Sequence, residues 1–374
     1  MNILRTKCIY CKKSFRKTKN SKEHLIPEGI GGKLTKRFLL CKICNEVLSK
    51  YDKALQEHLA IFLSLKKIKG KRKLISAKGE SKYGILEFIN GKPIVKGKVI
   101  NNPNGTRAIQ GDKKYTTKIL EGLKKKNPKT KVINRSKMQL DTILLKPINQ
   151  NIWKGVGKIL YLFAHYFDED YIPKTDFFKN FLSQPENSIP FDCPIGWVGN
   201  DIEKFLDLPK ELKEHPCDCI LVVIDYRNKE KCIIGYISFF GIKYIGLIDD
   251  KYEGNTKVIG YFINIKNKIS NEFSSNNALN INRKTLSELL DNWLTKDTLS
   301  QFIEQYSQAF IDAIFSRSIE DSFFSAAEKA GLSEGDRLNK KWLENFVKEL
   351  MESNYMKNLL PRKDKPDNEK ISKD

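Results

Sequence analysis

The sequence predicts an α+β fold that is divided into several domains. Its 374 residues exceed the usual size of one domain, so two or three domains are expected. Turn residues and short apolar runs in residues 1–40 are typical of a β-hairpin, whereas residues 45–67 carry apolar side chains at the spacing of an amphipathic helix. Apolar runs separated by turns between residues 219 and 248 indicate an antiparallel meander, and helical spacing returns after Asn282.

These changes of pattern divide the chain into five segments. The first, 1–75, contains the hairpin and its helix, and the second, 76–150, is basic and rich in strand-like runs. A mixed α/β region follows over 151–270, which begins with an apolar helix and contains the meander. A helical region covers 271–360, and the charged, apolar-poor residues 361–374 are expected to be disordered.

The net charge indicates a polyanionic partner. Lysine and arginine number 67 against 45 aspartate and glutamate, which gives +22. Such a surface attracts nucleic acid, although a genome rich in lysine codons would give a similar total. Two dense basic runs are candidate contacts with a phosphate backbone, with a solvated face as the alternative for each. The residues concerned are Lys71, Arg72 and Lys73 in the first run and Lys124, Lys125 and Lys126 in the second.

The sequence carries no sign of a membrane partner. It has no stretch of 18 consecutive apolar residues, and its first residues lead into a cysteine-bearing segment without an apolar signal run. We therefore expect a cytoplasmic protein. In a reducing compartment, closely spaced cysteines are better explained as metal ligands than as disulfides.

Two CxxC pairs flank the predicted hairpin. Four thiolates with this spacing can close around one tetrahedral zinc ion, and a hairpin with so little core needs such a link to fold. We predict a structural zinc site whose ligands are Cys8, Cys11, Cys41 and Cys44.

The other cysteines are interpreted as core residues. They lie in apolar, strand-like segments and include no further CxxC pair: Cys193, Cys217, Cys219 and Cys232. A second metal site that includes His215 is the alternative. We interpret His58 and His165 as packed or surface histidines rather than as ligands.

A short constellation accompanies the two pairs. Glu23 directly precedes His24 between them, and Asn45 directly follows the second pair. This arrangement resembles the HNH family, also called His-Me finger or ββα-metal endonucleases, in its treble-clef form with a four-cysteine zinc. In that family an acidic residue precedes a histidine on the first strand of the hairpin, and an asparagine opens the helix. The resemblance covers about residues 5–65.

The resemblance implies a role for each of these residues. His24 would act as the general base, while Glu23 and Asn45 would be oxygen ligands of a catalytic ion, for which Mg²⁺ or Mn²⁺ is the expected cofactor. Asp52 falls on the same predicted helix face as Asn45 and is our candidate for a third ligand, with a solvated carboxylate as the alternative. The chain departs from the commonest family pattern by carrying glutamate rather than aspartate before the histidine, which lengthens the ligand by a methylene.

The favoured function is metal-dependent hydrolysis of phosphodiester bonds in nucleic acid, with DNA preferred because the family usually cuts DNA. A non-catalytic, zinc-dependent nucleic-acid-binding protein is the alternative. A third reading is a regulated effector, in which the later regions sense a small-molecule or protein activator and release the nuclease. That layout is common among bacterial antiviral defence proteins with an HNH finger. The sequence leaves the oligomeric state and the cleavage specificity open.

Overall fold

The fold was determined as a computed structural model. It describes residues 5–68, 77–81, 84–89, 92–101, 107–110, 113–128, 150–185, 193–199, 202–214, 216–291, 296–333 and 336–352. The chain divides into two compact units, Met1–Ala309 and Phe310–Asp374. None of the helices in the described part combines the length and apolar character that a membrane crossing requires.

The N-terminal region forms the expected hairpin and helix. Its elements are β1 (Asn20–His24), β2 (Thr35–Cys41), α1 (Lys42–His58) and α2 (Ala60–Leu65). The two strands pair antiparallel, with His24 opposite Thr35. Helix α1 begins at Lys42 rather than at Asn45, so it includes Cys44, and the helix predicted to continue to Lys67 is divided at Leu59 into α1 and α2.

A small antiparallel sheet and a basic helix follow. The strands β3 (Ala77–Ser81), β4 (Gly84–Ile89), β5 (Lys92–Asn101) and β6 (Arg107–Gln110) pair in chain order, and α3 spans Lys113–Lys126. These four strands account for the strand-like runs that the sequence shows in the segment 76–150. The first basic run, with Lys71, Arg72 and Lys73, lies outside the described residues.

A six-stranded antiparallel sheet forms the centre of the first unit. Its strands are β7 (Ile195–Trp197), β8 (Cys219–Arg227), β9 (Cys232–Phe239), β10 (Ile242–Asp249), β11 (Lys257–Asn264) and β12 (Ile269–Ser275), in the spatial order β12-β11-β8-β9-β10-β7. The predicted meander is β8-β9-β10. The helices of this region are α4 (Gln150–Phe167), α5 (Phe177–Ser183) and α6 (Lys210–Glu214).

The C-terminal region is helical, as the sequence predicts. It contains α7 (Arg283–Asp291), α8 (Lys296–Ala330) and α9 (Lys340–Glu352). Gly331 follows α8 with a φ of 72°, a left-handed conformation that glycine adopts without strain and that commonly ends helices. Within the second unit, Trp342 stacks on Phe346 with ring centroids 5.1 Å apart. The tail 361–374 lies outside the described residues.

Helix α4 packs on one face of the central sheet. Residues 152–165 are all buried, which explains why the sequence there is apolar around nearly the whole helix. The Tyr226 hydroxyl of β8 donates to the Ala164 carbonyl at 2.6 Å. On the opposite face of the sheet, side chains of β8 and β9 pack with α7 through Leu286 and Leu290.

The other side of α4 contacts α1. Gly155 permits a very close approach, since a Cβ atom there would lie 2.8 Å from the Tyr51 carbonyl oxygen and 3.0 Å from the Leu55 Cβ. The Tyr161 hydroxyl also donates to the Ile9 carbonyl at 3.2 Å. Helix α4 therefore lies between the central sheet and the N-terminal hairpin region, and its side chains can reach that region.

Candidate active site and metal centre

The four predicted zinc ligands come together at the N-terminus of α1. The Sγ atoms of Cys8, Cys11, Cys41 and Cys44 all lie within 4.8 Å of one another. Cys11 Sγ lies 3.8 Å from Cys41 Sγ, and sulfurs bound at about 2.3 Å to a tetrahedral zinc lie about 3.8 Å apart. The cluster therefore fits a metal of the zinc type.

Local backbone structure holds the first cysteine pair in place. The Lys12 amide donates to the Cys8 carbonyl at 2.9 Å, and Lys12 takes a left-handed conformation with φ of 59° that closes the turn. The Ile9 amide donates to the Leu39 carbonyl of β2 at 2.9 Å. The Cys41 amide donates to Cys8 Sγ at 3.3 Å, so the first pair is joined directly to the start of the second.

Burial makes free thiolates costly at this cluster. Cys41 is the N-cap residue of α1, and Cys44 lies in its first turn, where the helix dipole favours negative charge. Burial nevertheless raises the pKa of the Cys44 thiol far above its usual value and also raises the pKa of Cys8. A bound metal cation would offset this cost, which agrees with the donor geometry.

A buried lysine on α4 joins two of the predicted ion ligands. The Lys158 ammonium lies 2.9 Å from Glu23 Oε1. It also donates to both oxygens of Asp52, at 2.7 Å and 3.0 Å. The Lys158 side chain is only 1% exposed and that of Asp52 is 23% exposed. The structure thus brings Glu23 of β1 and Asp52 of α1 together around one ammonium group.

Electrostatics place His24 in the same cluster. Burial raises the pKa of the Glu23 carboxyl, the Lys158 ammonium opposes that shift, and the Asp52 charge adds to it. Burial likewise raises the pKa of the Asp52 carboxyl, and both Lys158 and His24 oppose that shift. Asp52 therefore lies within electrostatic range of both Glu23 and His24.

His24 and Asn45 occupy the ends of two elements. His24 is the last residue of β1, and Asn45 lies in the first turn of α1 directly after the cysteine cluster. Both are half-buried, so each has part of its surface open to solvent. A histidine in this setting can meet water and substrate. The catalytic roles of both residues stay predictions.

One buried oxygen atom of Glu23 is relevant to the binding of the predicted catalytic ion. Glu23 is 3% exposed, and its Oε2 is buried without a hydrogen-bond partner among the described residues. A buried carboxylate oxygen of this kind is costly unless a donor or a cation meets it, and a hard divalent ion prefers such an oxygen. The Glu23 carboxylate oxygen is therefore of a kind that suits Mg²⁺ or Mn²⁺, and the roles of Glu23 and Asn45 as ion ligands stay predictions.

Asp52 is a less direct candidate for an ion ligand than Glu23. Both of its carboxylate oxygens face Lys158, which leaves no oxygen unshared. In the described part of the chain, the four cysteines are the one group of three or more His, Cys, Asp or Glu side chains whose ligand atoms are close enough to share an ion. The assignment of Asp52 as a third ion ligand stays a prediction, and an ion there would share the Asp52 oxygens with Lys158.

The remaining histidines pack in the core. His58 Nε2 lies 2.9 Å from the Tyr244 hydroxyl, and burial lowers the pKa of His58 to about 4. His165 is also buried, and its carbonyl accepts from Arg5 Nη2 at 2.8 Å. Both are therefore neutral, packed side chains, as interpreted from the sequence. His215 lies outside the described residues.

The later cysteines also pack as core residues. Cys193, Cys219 and Cys232 are buried in the first unit, and Cys217 is half-buried. Burial raises the pKa of the Cys232 thiol to about 11. Burial also raises the pKa values of Cys193 and Cys219, so these three buried thiols are neutral at physiological pH, as inert core cysteines are.

The second basic run is open to solvent. Lys124, Lys125 and Lys126 form the last turn of α3, and all three are exposed. Lysines at a helix C-terminus are favoured by the helix dipole, so their placement has a structural reason as well. Phosphate contact by this run stays a prediction.

Sequence analysis missed Lys158. The available signal is the apolar helix itself, which carries Lys154 and Lys158 one turn apart on faces that are otherwise apolar. A lysine is almost never fully buried unless it is paired, so two of them in such a helix indicate acidic or carbonyl partners elsewhere. The spacing of residues in the sequence could not show which residues these partners are.

Hairpin, cysteine cluster and following helix together define a zinc-type ββα finger. Residues 8–60 match the family model of the HNH endonucleases. No curated protein and no solved structure matches the chain. The matched segment holds both cysteine pairs, Glu23, His24, Asn45 and Asp52. The chain therefore carries an HNH endonuclease domain, a domain of nuclease type whose substrate is nucleic acid.

The cysteine cluster gives the first prediction. Cys41→Ser should lower bound zinc below one ion per chain and unfold the hairpin region, because the metal supplies much of its folding free energy. Zinc content is measured by elemental analysis and folding by circular dichroism. Cys217→Ser, outside the cluster, is the matched control and should keep one zinc. Full occupancy in the Cys41 variant would refute the four-cysteine site.

Proposed function

We propose that this protein is a metal-dependent endonuclease that hydrolyses phosphodiester bonds, with DNA as the preferred nucleic acid. The observation that carries the proposal is the buried Oε2 of Glu23, which has no hydrogen-bond partner in the described part of the chain, next to a half-buried His24 in an HNH endonuclease domain. An oxygen ligand and a base are the two groups that this hydrolysis needs from the protein.

His24 is the general base in this proposal. It accepts a proton from water as the water oxygen bonds to phosphorus, and the bond from phosphorus to the leaving oxygen breaks. A divalent ion, Mg²⁺ or Mn²⁺, held by Glu23 and Asn45 would supply the positive charge that stabilises the phosphorane and the leaving oxygen. The zinc-type cluster stays away from the substrate and fixes β2 to the start of α1.

One observation favours a second function. Lys158 already neutralises part of the charge on Glu23 and Asp52, as an ammonium would in a structural ion pair. A non-catalytic nucleic-acid-binding protein would keep that arrangement without using a divalent ion. Dependence of cleavage on Mg²⁺ or Mn²⁺, with inhibition by EDTA, separates the two functions.

Basic residues are proposed to hold the nucleic-acid backbone. The net charge of +22 supports a polyanionic substrate. The exposed end of α3, with Lys124, Lys125 and Lys126, offers ammonium groups that can contact phosphates without reading sequence. Lys71, Arg72 and Lys73 follow the finger in the chain and are proposed for the same role.

The remaining regions are proposed to regulate the nuclease. The HNH match ends at residue 60, and most of the 374-residue chain follows it. A small molecule or a protein that binds these regions would release the activity, as in an effector of antiviral defence. Incubation of the purified protein with plasmid DNA and with RNA, in the presence of Mg²⁺, Mn²⁺ or EDTA, tests substrate and latency together.

The second prediction concerns the base. His24→Ala should abolish cleavage while zinc content and thermal midpoint stay close to wild type, because His24 contributes to the transition state rather than to the core. Plasmid cleavage, elemental analysis and thermal unfolding provide the three measurements. His58→Gln, at a half-buried histidine outside the cluster, is the control and should retain cleavage if it folds. Cleavage by the His24 variant at the wild-type rate would rule out the assignment.

The third prediction concerns the basic end of α3. Reversal of Lys124 and Lys125 to glutamate should weaken binding similarly for all sequences and flatten the slope of log affinity against log salt by roughly one unit per lost phosphate contact. Fluorescence anisotropy with labelled duplexes at several salt concentrations measures both quantities. The exposed pair Lys340 and Lys341 on α9 is the matched control. An unchanged affinity and salt slope would make the α3 lysines a solvated face.

A further inference from the structure

The Lys158 ammonium contacts unequal numbers of oxygens on the two carboxylates of the cluster, Glu23 and Asp52. It meets one oxygen of Glu23, at 2.9 Å, and both oxygens of Asp52. The second oxygen of Glu23 stays buried and unpartnered among the described residues. Two ionised carboxylates and one ammonium have a net charge of −1, and of the four carboxylate oxygens only Glu23 Oε2 lacks a partner among the residues that the structure describes.

This arrangement fixes the rotation of the Glu23 carboxylate. Charge-assisted hydrogen bonds are stronger and more directional than neutral ones, so the bond from Lys158 to Oε1 also sets the direction of Oε2. Groups that hydrogen-bond a metal ligand from outside the coordination shell orient it in this way. The Asp52 carboxylate, whose two oxygens both accept from the ammonium, holds Lys158 in turn.

Helix α4 cannot easily withdraw Lys158. Gly155, less than one turn away, brings α4 against the Tyr51 carbonyl of α1 so closely that a Cβ atom would lie 2.8 Å from that oxygen. Tyr161 and Tyr226 tie the same helix to Ile9 and to the sheet through hydrogen bonds between α4 and its neighbours. Because α4 is constrained in this way, the Lys158 ammonium is a fixed part of the cluster that it forms with Glu23 and Asp52.

We propose that Lys158 is a positioning residue of the HNH active site, which holds Glu23 Oε1 so that Oε2 is presented to the divalent ion, while Asp52 anchors Lys158 and does not bind the ion. This inference rests on the proposed metal-dependent nuclease function. It makes α4, outside the segment that matches the HNH family, a necessary part of the active site.

The chain offers a matched control on the same helix. Lys154 lies one turn before Lys158, is fully buried, and donates to the Gln184 carbonyl rather than to the carboxylates. Lys158→Met and Lys154→Met each remove a buried ammonium from α4, so both can lower stability. Only Lys158→Met removes a contact with Glu23.

The two variants and the wild type are compared by four measurements. Zinc content and thermal midpoint report folding, calorimetric titration of the zinc-loaded protein with Mn²⁺ reports divalent affinity, and plasmid cleavage reports kcat and KM. Loss of an outer-shell partner commonly costs about 10–100-fold in metal affinity or activity. We expect a loss of that size in Mn²⁺ affinity and kcat for Lys158→Met, with zinc retained and KM for DNA little changed. Lys154→Met should bind Mn²⁺ as the wild type does.

Asp52→Asn tests the second half of the proposal. In the wild-type background it should weaken Mn²⁺ affinity, because Lys158 loses its anchor. In the Lys158→Met background it should cause no further loss, because Asp52 acts only through Lys158. An additional loss of affinity in the double variant would make Asp52 an ion ligand and would overturn this part of the inference.

A measurement on the wild-type chain covers the case in which Lys158→Met does not fold. Proton–nitrogen spectra of Nζ-labelled lysines, assigned by Lys158→Arg and Lys154→Arg, should show the Lys158 ammonium signal shift on saturation with Mg²⁺ while remaining protected from exchange. The Lys154 signal should stay in place. A Lys158 signal that does not respond, or that loses its protection, overturns the proposal.

The outcomes separate this inference from the proposed function. Wild-type protein that neither binds Mn²⁺ nor cleaves overturns both. Wild-type protein that binds Mn²⁺ and cleaves, with Lys158→Met no worse than Lys154→Met, overturns the positioning role alone. Tighter Mn²⁺ binding and faster cleavage by Lys158→Met would make the lysine a competitor of the ion, which also overturns the positioning role.

Discussion

The convergence of four thiols at the start of α1 is the constraint on which the N-terminal domain depends. Cys8 and Cys11 come from a turn before the hairpin, Cys41 ends β2, and Cys44 lies in the first turn of α1. Two short strands and one helix bury too little apolar surface to hold this geometry alone, and a structural metal supplies the missing free energy. Once the cysteine cluster has formed, β1 lies against α1. Residues of the hairpin then become neighbours of residues of the helix. Metal binding by the four cysteines therefore brings Glu23 and His24 of β1 to the polar face of α1.

The HNH domain is joined to the rest of the first unit by specific polar contacts as well as by apolar packing. Arg5 Nη2 donates to the His165 and Asp168 carbonyls, each at 2.8 Å, and Lys36 forms an ion pair with Glu169 at 2.7 Å. The Tyr51 hydroxyl donates to the Leu182 carbonyl at 2.7 Å. Helix α4 of the region that follows also supplies Lys158, which contacts Glu23 and Asp52 of the HNH domain.

Much of this architecture follows from local sequence patterns, and the rest depends on tertiary packing. Paired cysteines, alternating apolar runs and helical spacing are short-range signals, so the hairpin, α1, α4 and the meander could be predicted. The start of α1 could not, because its first turn holds the second cysteine pair and precedes the apolar spacing. The link between Lys158 and Asp52 spans 106 positions in the chain and depends on how α4 packs against α1. The place of Asp52 on the helix was compatible both with a solvated carboxylate and with an ion ligand. Only the packing of α4 against α1 shows that Asp52 pairs with Lys158.

Anomalous diffraction from crystals of the zinc-loaded protein soaked with Mn²⁺, recorded at the zinc and manganese absorption edges, shows whether a divalent ion binds at Glu23 beside an intact Lys158 contact, apart from the cysteine cluster. We expect a zinc peak among the four Sγ atoms and a separate manganese peak in contact with Glu23 Oε2 and Asn45. Lys158 should remain on Glu23 Oε1 and on Asp52. A manganese ion between Glu23 and Asp52 with Lys158 displaced, or no manganese at Glu23, would refute this arrangement.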